Sequence, residues 1–276
     1  MSPAPTAPDP ANWLDHNRAN WDERVPIHAA GAFYDLPGFV AGRETVPAFA
    51  LAEVGDVRGK RLVHPQCHIG TETLGWARHG ASVTGLDFSR PALDTAAGLA
   101  ERIGVEDSRW VAANVYDAVE ALDGEQFDIV YTGLGALCWL PDVERWARVM
   151  AALVRPGGFL YLAEFHPFGN TLKPDGLTVE YDYFDRSPQV WDEPGTYADF
   201  EAETEQNVTV QFDHGLGEIV SAVIKAGLRL EFLTEHEMTM FKRYDVLEER
   251  DGFLWMPEGH PRVPLMYSLR ASKAAG

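Results

Sequence analysis

Short apolar runs alternate with stretches of helical spacing along most of this 276-residue chain. Residues 127–132 and 158–164 are dense in Val, Leu, Ile, Phe and Tyr, and 61–65, 82–87 and 109–113 carry shorter apolar pairs such as Leu62-Val63 and Trp110-Val111, the pattern of strands buried within a sheet. Between them, 71–79, 91–103, 117–122 and 141–153 carry apolar residues at helical intervals, and Gly80 and Gly104 close the first two. Strands that alternate with helices require right-handed crossovers, so the pattern predicts an α/β fold with a doubly wound, mostly parallel sheet.

The flanks differ. Trp13, Asn17 and Trp21 recur every four residues within 11–23, which puts them on one face of a helix, and a second helix over 45–54 ends at Gly55. Beyond Pro167 the alternation stops. Val179, Tyr181 and Tyr183, then Val208, Val210 and Phe212, follow period two, which predicts an inserted antiparallel β pair after the fifth strand, with a loop over the sheet edge. A helix with Leu216, Ile219, Val220 and Val223 on one face, capped by Gly227, leads to strands at 228–234 and 264–272. The chain divides into a tail (1–11), an N-terminal helical lid (12–57), a core (58–166), an inserted β segment (167–213) and a completion of the sheet (214–276). The Pro- and Ala-rich tail buries too little surface to order itself.

Charge and composition narrow the function. The formal net charge of −19, from 42 acidic and 23 basic residues, opposes phosphate backbones and anionic lipids, so neither nucleic acid nor membrane is an expected partner. Cys67 and Cys138 are the two cysteines; they cannot make a disulfide framework, which suits a reducing cytoplasm. No run of about eighteen apolar residues occurs, and the first ten residues lack a charged-then-apolar leader. A cytoplasmic protein with a small-molecule partner is expected, and a homodimer is left open.

Two stretches carry the chemistry. Arg61-Leu-Val-His-Pro-Gln-Cys-His-Ile-Gly70 reads as a buried strand running into a tight turn and a helix, and Val83-Thr-Gly-Leu-Asp87 as a strand that ends on an acid. Asp87 follows Gly70 by 17 residues (87 − 70), one helical crossover. In a parallel sheet this puts a helix N-terminus and a carboxylate side by side at the carboxyl edge, where adenosine-containing cofactors bind.

Together with Leu153-Val-Arg-Pro-Gly-Gly-Phe-Leu-Tyr-Leu162 leading into the fifth strand, these features resemble the class I S-adenosylmethionine-dependent methyltransferases over about residues 58–165 and 215–273. Within that family the chain resembles a bacterial small-molecule subgroup whose first loop reads Gln-Cys-His where Gly-Cys-Gly is usual. The resemblance implies a Rossmann-like seven-stranded sheet with an antiparallel last strand, S-adenosyl-L-methionine as cofactor, and methyl transfer to O, N or C of a small molecule. Carried over by position, Asp87 would accept from the two ribose hydroxyls, Phe88 would lie on the adenine, Asn114 would accept from the adenine amino group, and Val115 would donate its backbone N–H to the ring. Gln66, His68 and Gly70 would border the methionine end, Thr132 would turn its carbonyl to the methionine amino group, and Trp21 and Tyr34 would form the lid. Glycine relieves φ restrictions, so Gln66 and His68 must take strained angles or tilt the methionine end. His64 stands where the family has an acid.

Methyl transfer from a sulfonium needs an aligned acceptor and excluded water, with a base only where the acceptor starts protonated. Glu164 and His166 follow the fifth strand and are the candidate catalytic residues, His166 as the base; a histidine there also reads as a hydrogen-bonded structural group. His64 and His68, four apart on a strand and a turn, do not share the helical face a metal pair needs, so no metal is expected. Tyr181, Tyr183, Trp191, Phe200 and Trp255 either wall a pocket for an aromatic or prenyl-like substrate or cover the inserted hairpin. Two rivals remain: an enzyme that keeps this cofactor without methylating, and an NAD(P)-dependent oxidoreductase. The second wants a Gly-x-Gly-x-x-Gly turn, whereas residues 66–71 hold one glycine.

Overall fold

The computed structural model describes residues 9–276; most of the tail expected at 1–11 lies outside them. Its centre is a seven-stranded sheet in the order β3-β2-β1-β4-β5-β12-β8. The strands are β1 (Arg61–Pro65), β2 (Ser82–Asp87), β3 (Ser108–Ala112), β4 (Phe127–Thr132), β5 (Val154–Phe165), β8 (Arg229–His236) and β12 (Met266–Ser272). The first five pair in parallel, and β12 runs antiparallel to both β5 and β8. Strand order reverses between β1 and β4, and that switch point opens a crevice at the carboxyl edge.

Helices cover both faces. On one side α7 (Val143–Leu153) and α8 (Leu216–Lys225) bury Trp146, Met150 and Val223 against the sheet; on the other, α3 (Ala48–Val54) and α4 (Thr71–Arg78) bury Val54 and Trp76. The α5 helix (Arg90–Ile103) begins where the Ser89 hydroxyl accepts the Ala92 N–H and ends at Gly104 in the left-handed region, the start and stop chemistry its sequence predicts. This places the end of β2 at Asp87 and the start of α5 three residues beyond it.

Three departures concern the segments around this core. The first helix, α1 (Trp13–Ala30), runs through Pro26 rather than stopping at Glu23, and a short α2 (Leu36–Val40) follows it. The inserted hairpin pairs β6 (Gln189–Asp192), not 179–183, with β7 (Val208–Gln211). The reason is local: Asp175, Asp182 and Asp185 accept backbone N–H groups of Leu177, Thr178, Phe184 and Ser187, turns that consume the donors a strand ladder would need. A small sheet of β9 (Met238–Thr239), β10 (Glu248–Arg250) and β11 (Phe253–Trp255) was not foreseen. The expected helix over 117–122 is a 3-10 turn followed by α6 (Ala118–Ala121).

Candidate active site

The loop between β1 and α4 takes the strained option. Gln66, His68 and Gly70 all have positive φ, at 59°, 49° and 72°, and for the two residues with a Cβ this costs about 1–2 kcal/mol each. Three anchors hold them there. Gln66 Nε2 donates to the Ala136 carbonyl at 3.0 Å, the His68 N–H donates to Asp87 Oδ2 at 2.8 Å, and His68 Nε2 meets His28 Nδ1 at 2.9 Å. Gly70 serves packing: a Cβ there would lie 2.7 Å from Ala96 Cβ and 2.7 Å from the Trp110 ring.

Asp87 bridges the two stretches singled out in the sequence. Its second oxygen accepts the Ser89 N–H at 2.9 Å. Burial raises its pKa to about 6 against the pull of these N–H donors, and the charge of Asp22 on α1 adds to the rise. Asp22 Oδ1 is itself buried without a protein partner. A pair of hydroxyl donors between these carboxylates would relieve both costs.

Helix α1 is joined to the inserted hairpin. Asn17 is fully buried, and its amide donates to the Val210 carbonyl and accepts the Val210 N–H, both at 2.8 Å. The side chain thus acts as one more rung on β7. Asn20 and Arg24 donate to the Gln206 carbonyl, and Arg24 also to that of Gly195. Farther along, His28 Nε2 meets Thr196 Oγ1 at 2.6 Å, continuing the chain that starts at His68. Burial lowers His28 to about 4 and His68 well below its usual value, so both rings are neutral near pH 7. Tyr34 and Tyr197 share a hydroxyl hydrogen bond, and Trp21 stands edge-on to His68 and Trp139.

Between α1, the hairpin and the sheet edge is a cavity of ≈ 840 Å³. Trp21, Trp139, Tyr181, Trp191, Tyr197 and Phe200 are in its walls. Tyr183 lines a smaller neighbouring recess, and Trp255 lies on β11, away from both. Glu164 also lines the cavity, but its oxygens accept four N–H groups, from Gly135, Ala136, Leu137 and Phe165. Burial raises its pKa while these donors oppose the rise, and four donors fill the four lone-pair sites of a carboxylate. His166 is not among the cavity residues. Its Nδ1 accepts the Phe168 N–H at 3.1 Å and its Nε2 lies 3.1 Å from Glu235.

Past β2 and β3, Phe88 is half-buried just after Asp87. Asn114 Oδ1 accepts the Tyr116 N–H at 3.0 Å and so caps the following turn; one oxygen lone pair and the NH₂ group stay open. The Val115 N–H, at the first position of that turn, has no partner within it. Thr132 Oγ1 and Gln66 Oε1 are buried acceptors without donors. A ligand bearing hydroxyl and amino donors satisfies this set, as an adenosine with an amino-acid tail does. Sequence reasoning missed Asp22, His28, Thr196 and Tyr197; the acid one residue after Trp21 was the single signal within reach.

A seven-stranded sheet in this order, with an acid ending β2 and a bent loop following β1, is the Rossmann-like fold of methyltransferases. Residues 65–160 match the family model of a methyltransferase domain. The chain is 37% identical over 109 residues to a ubiquinone biosynthesis O-methyltransferase of Ralstonia nicotianae, covering 39% of this chain and 44% of that protein. It thus spans less than half the length of that relative. A protein of the same description from Salmonella newport is 29% identical over 178 residues, 63% of this chain and 71% of that one. The fold superposes on an S-adenosylmethionine-dependent methyltransferase from Mesorhizobium loti with a TM-score of 0.57 at 23% identity, covering 84% of this chain and 99% of that chain.

Proposed function

We propose that this chain is an S-adenosylmethionine-dependent methyltransferase acting on a small molecule with an apolar, aromatic-compatible body. The observation that carries the reading is the cavity of ≈ 840 Å³, roofed by α1 and the hairpin and walled by aromatic rings beside the Asp87 loop. The cofactor supplies a methyl on a positive sulfur. Asp87 would accept the ribose hydroxyls, Asn114 and Val115 would meet the adenine, and Gln66, His68 and Thr132 would border the amino-acid end. Trp21 and Tyr34 would exclude water, and aromatic faces attract a nearby cation.

Among O, N and C as acceptor atom, oxygen is supported by the descriptions of the relatives, which act in ubiquinone biosynthesis as O-methyltransferases. In this reading Glu164 holds the loop after β4 in place and His166 fastens β5 to β8, so both position the acceptor pocket rather than move a proton. An acceptor that ionises by itself near pH 7, or an amine, then suits the site best. The NAD(P) alternative finds no support in the first loop, where Trp110 and Ala96 fill the space beside its one glycine.

Calorimetric titration with S-adenosylhomocysteine and with NADH tests the cofactor, and mass spectrometry over a panel of phenols, amines and carboxylates tests the transfer. Binding of S-adenosylhomocysteine alone, with a one-methylene mass gain on a phenol or amine, is expected. Stabilisation by NADH alone would overturn the reading.

A further inference from the structure

A second acid faces the switch point of the sheet, and the roles assigned so far leave it without a use. Glu72 lies in the first turn of α4 and is half-buried. Its Oε2 accepts the Tyr131 hydroxyl at 2.6 Å. A Cβ built on Gly133, just past β4, would lie 3.1 Å from that oxygen and 3.4 Å from His64 Nε2. The carboxylate, the imidazole and the backbone after β4 therefore converge between the ends of β1 and β4.

Among the described residues Glu72 forms no ion pair, and the Tyr131 hydroxyl is its hydrogen-bond donor. The other groups that face it are the Tyr34 and Tyr161 hydroxyls, which carry no positive charge. His64 is held neutral, its pKa lowered to about 3 by burial, with Nδ1 on Thr73 Oγ1 at 2.9 Å. Burial raises the pKa of Glu72 itself. A positive charge beside a carboxylate drawn out of water with one neutral donor would offset its desolvation. The resembled family has an acid at the position of His64; here the acid stands eight residues later (72 − 64), on the helix instead of the strand.

We infer that Glu72 is the counter-charge for the ammonium group at the amino-acid end of the cofactor, with His64 and Tyr131 as its positioning residues. The inference rests on the methyltransferase reading. Its experiment compares two thioether nucleosides by calorimetry at pH 7.5: S-adenosylhomocysteine, which has the ammonium, and 5′-methylthioadenosine, which lacks the amino-acid end. Glu72→Gln keeps an oxygen for the Tyr131 hydroxyl and removes only the charge. It is expected to weaken S-adenosylhomocysteine binding about tenfold or more, the scale of a lost charge-assisted bond, and to leave 5′-methylthioadenosine within about twofold. Retained methylthioadenosine binding also reports that the variant is folded. Equal loss for both nucleosides, or loss for neither, would overturn the inference while the function stands. Wild-type protein that binds neither nucleoside would overturn the function and this subsite together.

Discussion

Asp87 gives the most quantitative test. Its pKa in the folded protein is about 6, against an ordinary value of 3.8, so the native state holds this proton more tightly than the unfolded chain. Stability from this group is therefore fully present below pH 3.8 and is lost as pH rises through 6. A gap of about 2 units corresponds to about 3 kcal/mol, an upper figure because the residue is half-buried rather than enclosed. Linkage places about 2 kcal/mol of that loss between pH 4.5 and 7.5. Urea unfolding of the ligand-free protein and of Asp87→Asn across that range should give curves that diverge by about this amount, with the wild type losing more stability as pH rises. The difference between the two proteins cancels the other acids of this highly charged chain. Hydroxyl donors favour the ionised form, so S-adenosylhomocysteine should bind more weakly as pH falls below 6, and Asp87→Asn should flatten that dependence. Parallel stability curves would refute the assignment of a proton-hungry carboxylate at the rim of β2.

Three further perturbations probe the lid, the loop and the cavity floor. Asn17→Ala strands both the N–H and the carbonyl of Val210, so docking of α1 should weaken by about 2–4 kcal/mol; limited proteolysis within 13–30 should accelerate, and an unchanged digestion rate would contradict the role given to that amide. Gln66→Gly releases about 1–2 kcal/mol of left-handed strain and loses one hydrogen bond of about 1 kcal/mol, so urea unfolding should shift by less than about 1 kcal/mol; a loss several times larger would show that the side chain bears more than its bond to Ala136. Glu164→Gln has one acceptor oxygen for four N–H donors, and about 2–4 kcal/mol of stability should go with faster hydrogen exchange at 135–137. Full stability with abolished turnover would instead assign Glu164 a chemical role.

The βαβ core was legible because its elements are built from one signal, apolar periodicity, that the sheet and its helices amplify. Strands β1 and β2 begin and end on the residues expected, and α5 is bounded by the Ser89 cap and Gly104. The N-terminal helix carried a helical signal only from Trp13 to Trp21. Its buried face is Asn17, Asn20, Arg24, Val25 and His28, a polar stripe that hydrophobic spacing cannot register, and Pro26 reads as a helix stop although its missing N–H falls on the exposed side. The hairpin failed for a related reason. Alternating aromatics at 179–183 satisfy the strand template, but the aspartates around them capture backbone donors first.

The site divides along the same line. An acid at the end of β2 is visible from spacing alone, because a strand end and a helix start fix where it must sit. Glu164 and His166 are equally visible, yet what they do depends on donors from 135–137 and on Glu235, neither of which local sequence connects to them. The bent loop shows how the two levels meet. A glycine-poor turn with two left-handed residues is unfavourable by itself, and its anchors come from three separate elements: the Ala136 carbonyl after β4, Asp87 at the end of β2, and His28 on the lid. Removing any one returns part of the strain to the backbone. The rim of the carboxyl edge therefore owes part of its shape to α1, so a chain without residues 13–30 should retain its sheet and the Gln66 angle while the angle at His68 relaxes.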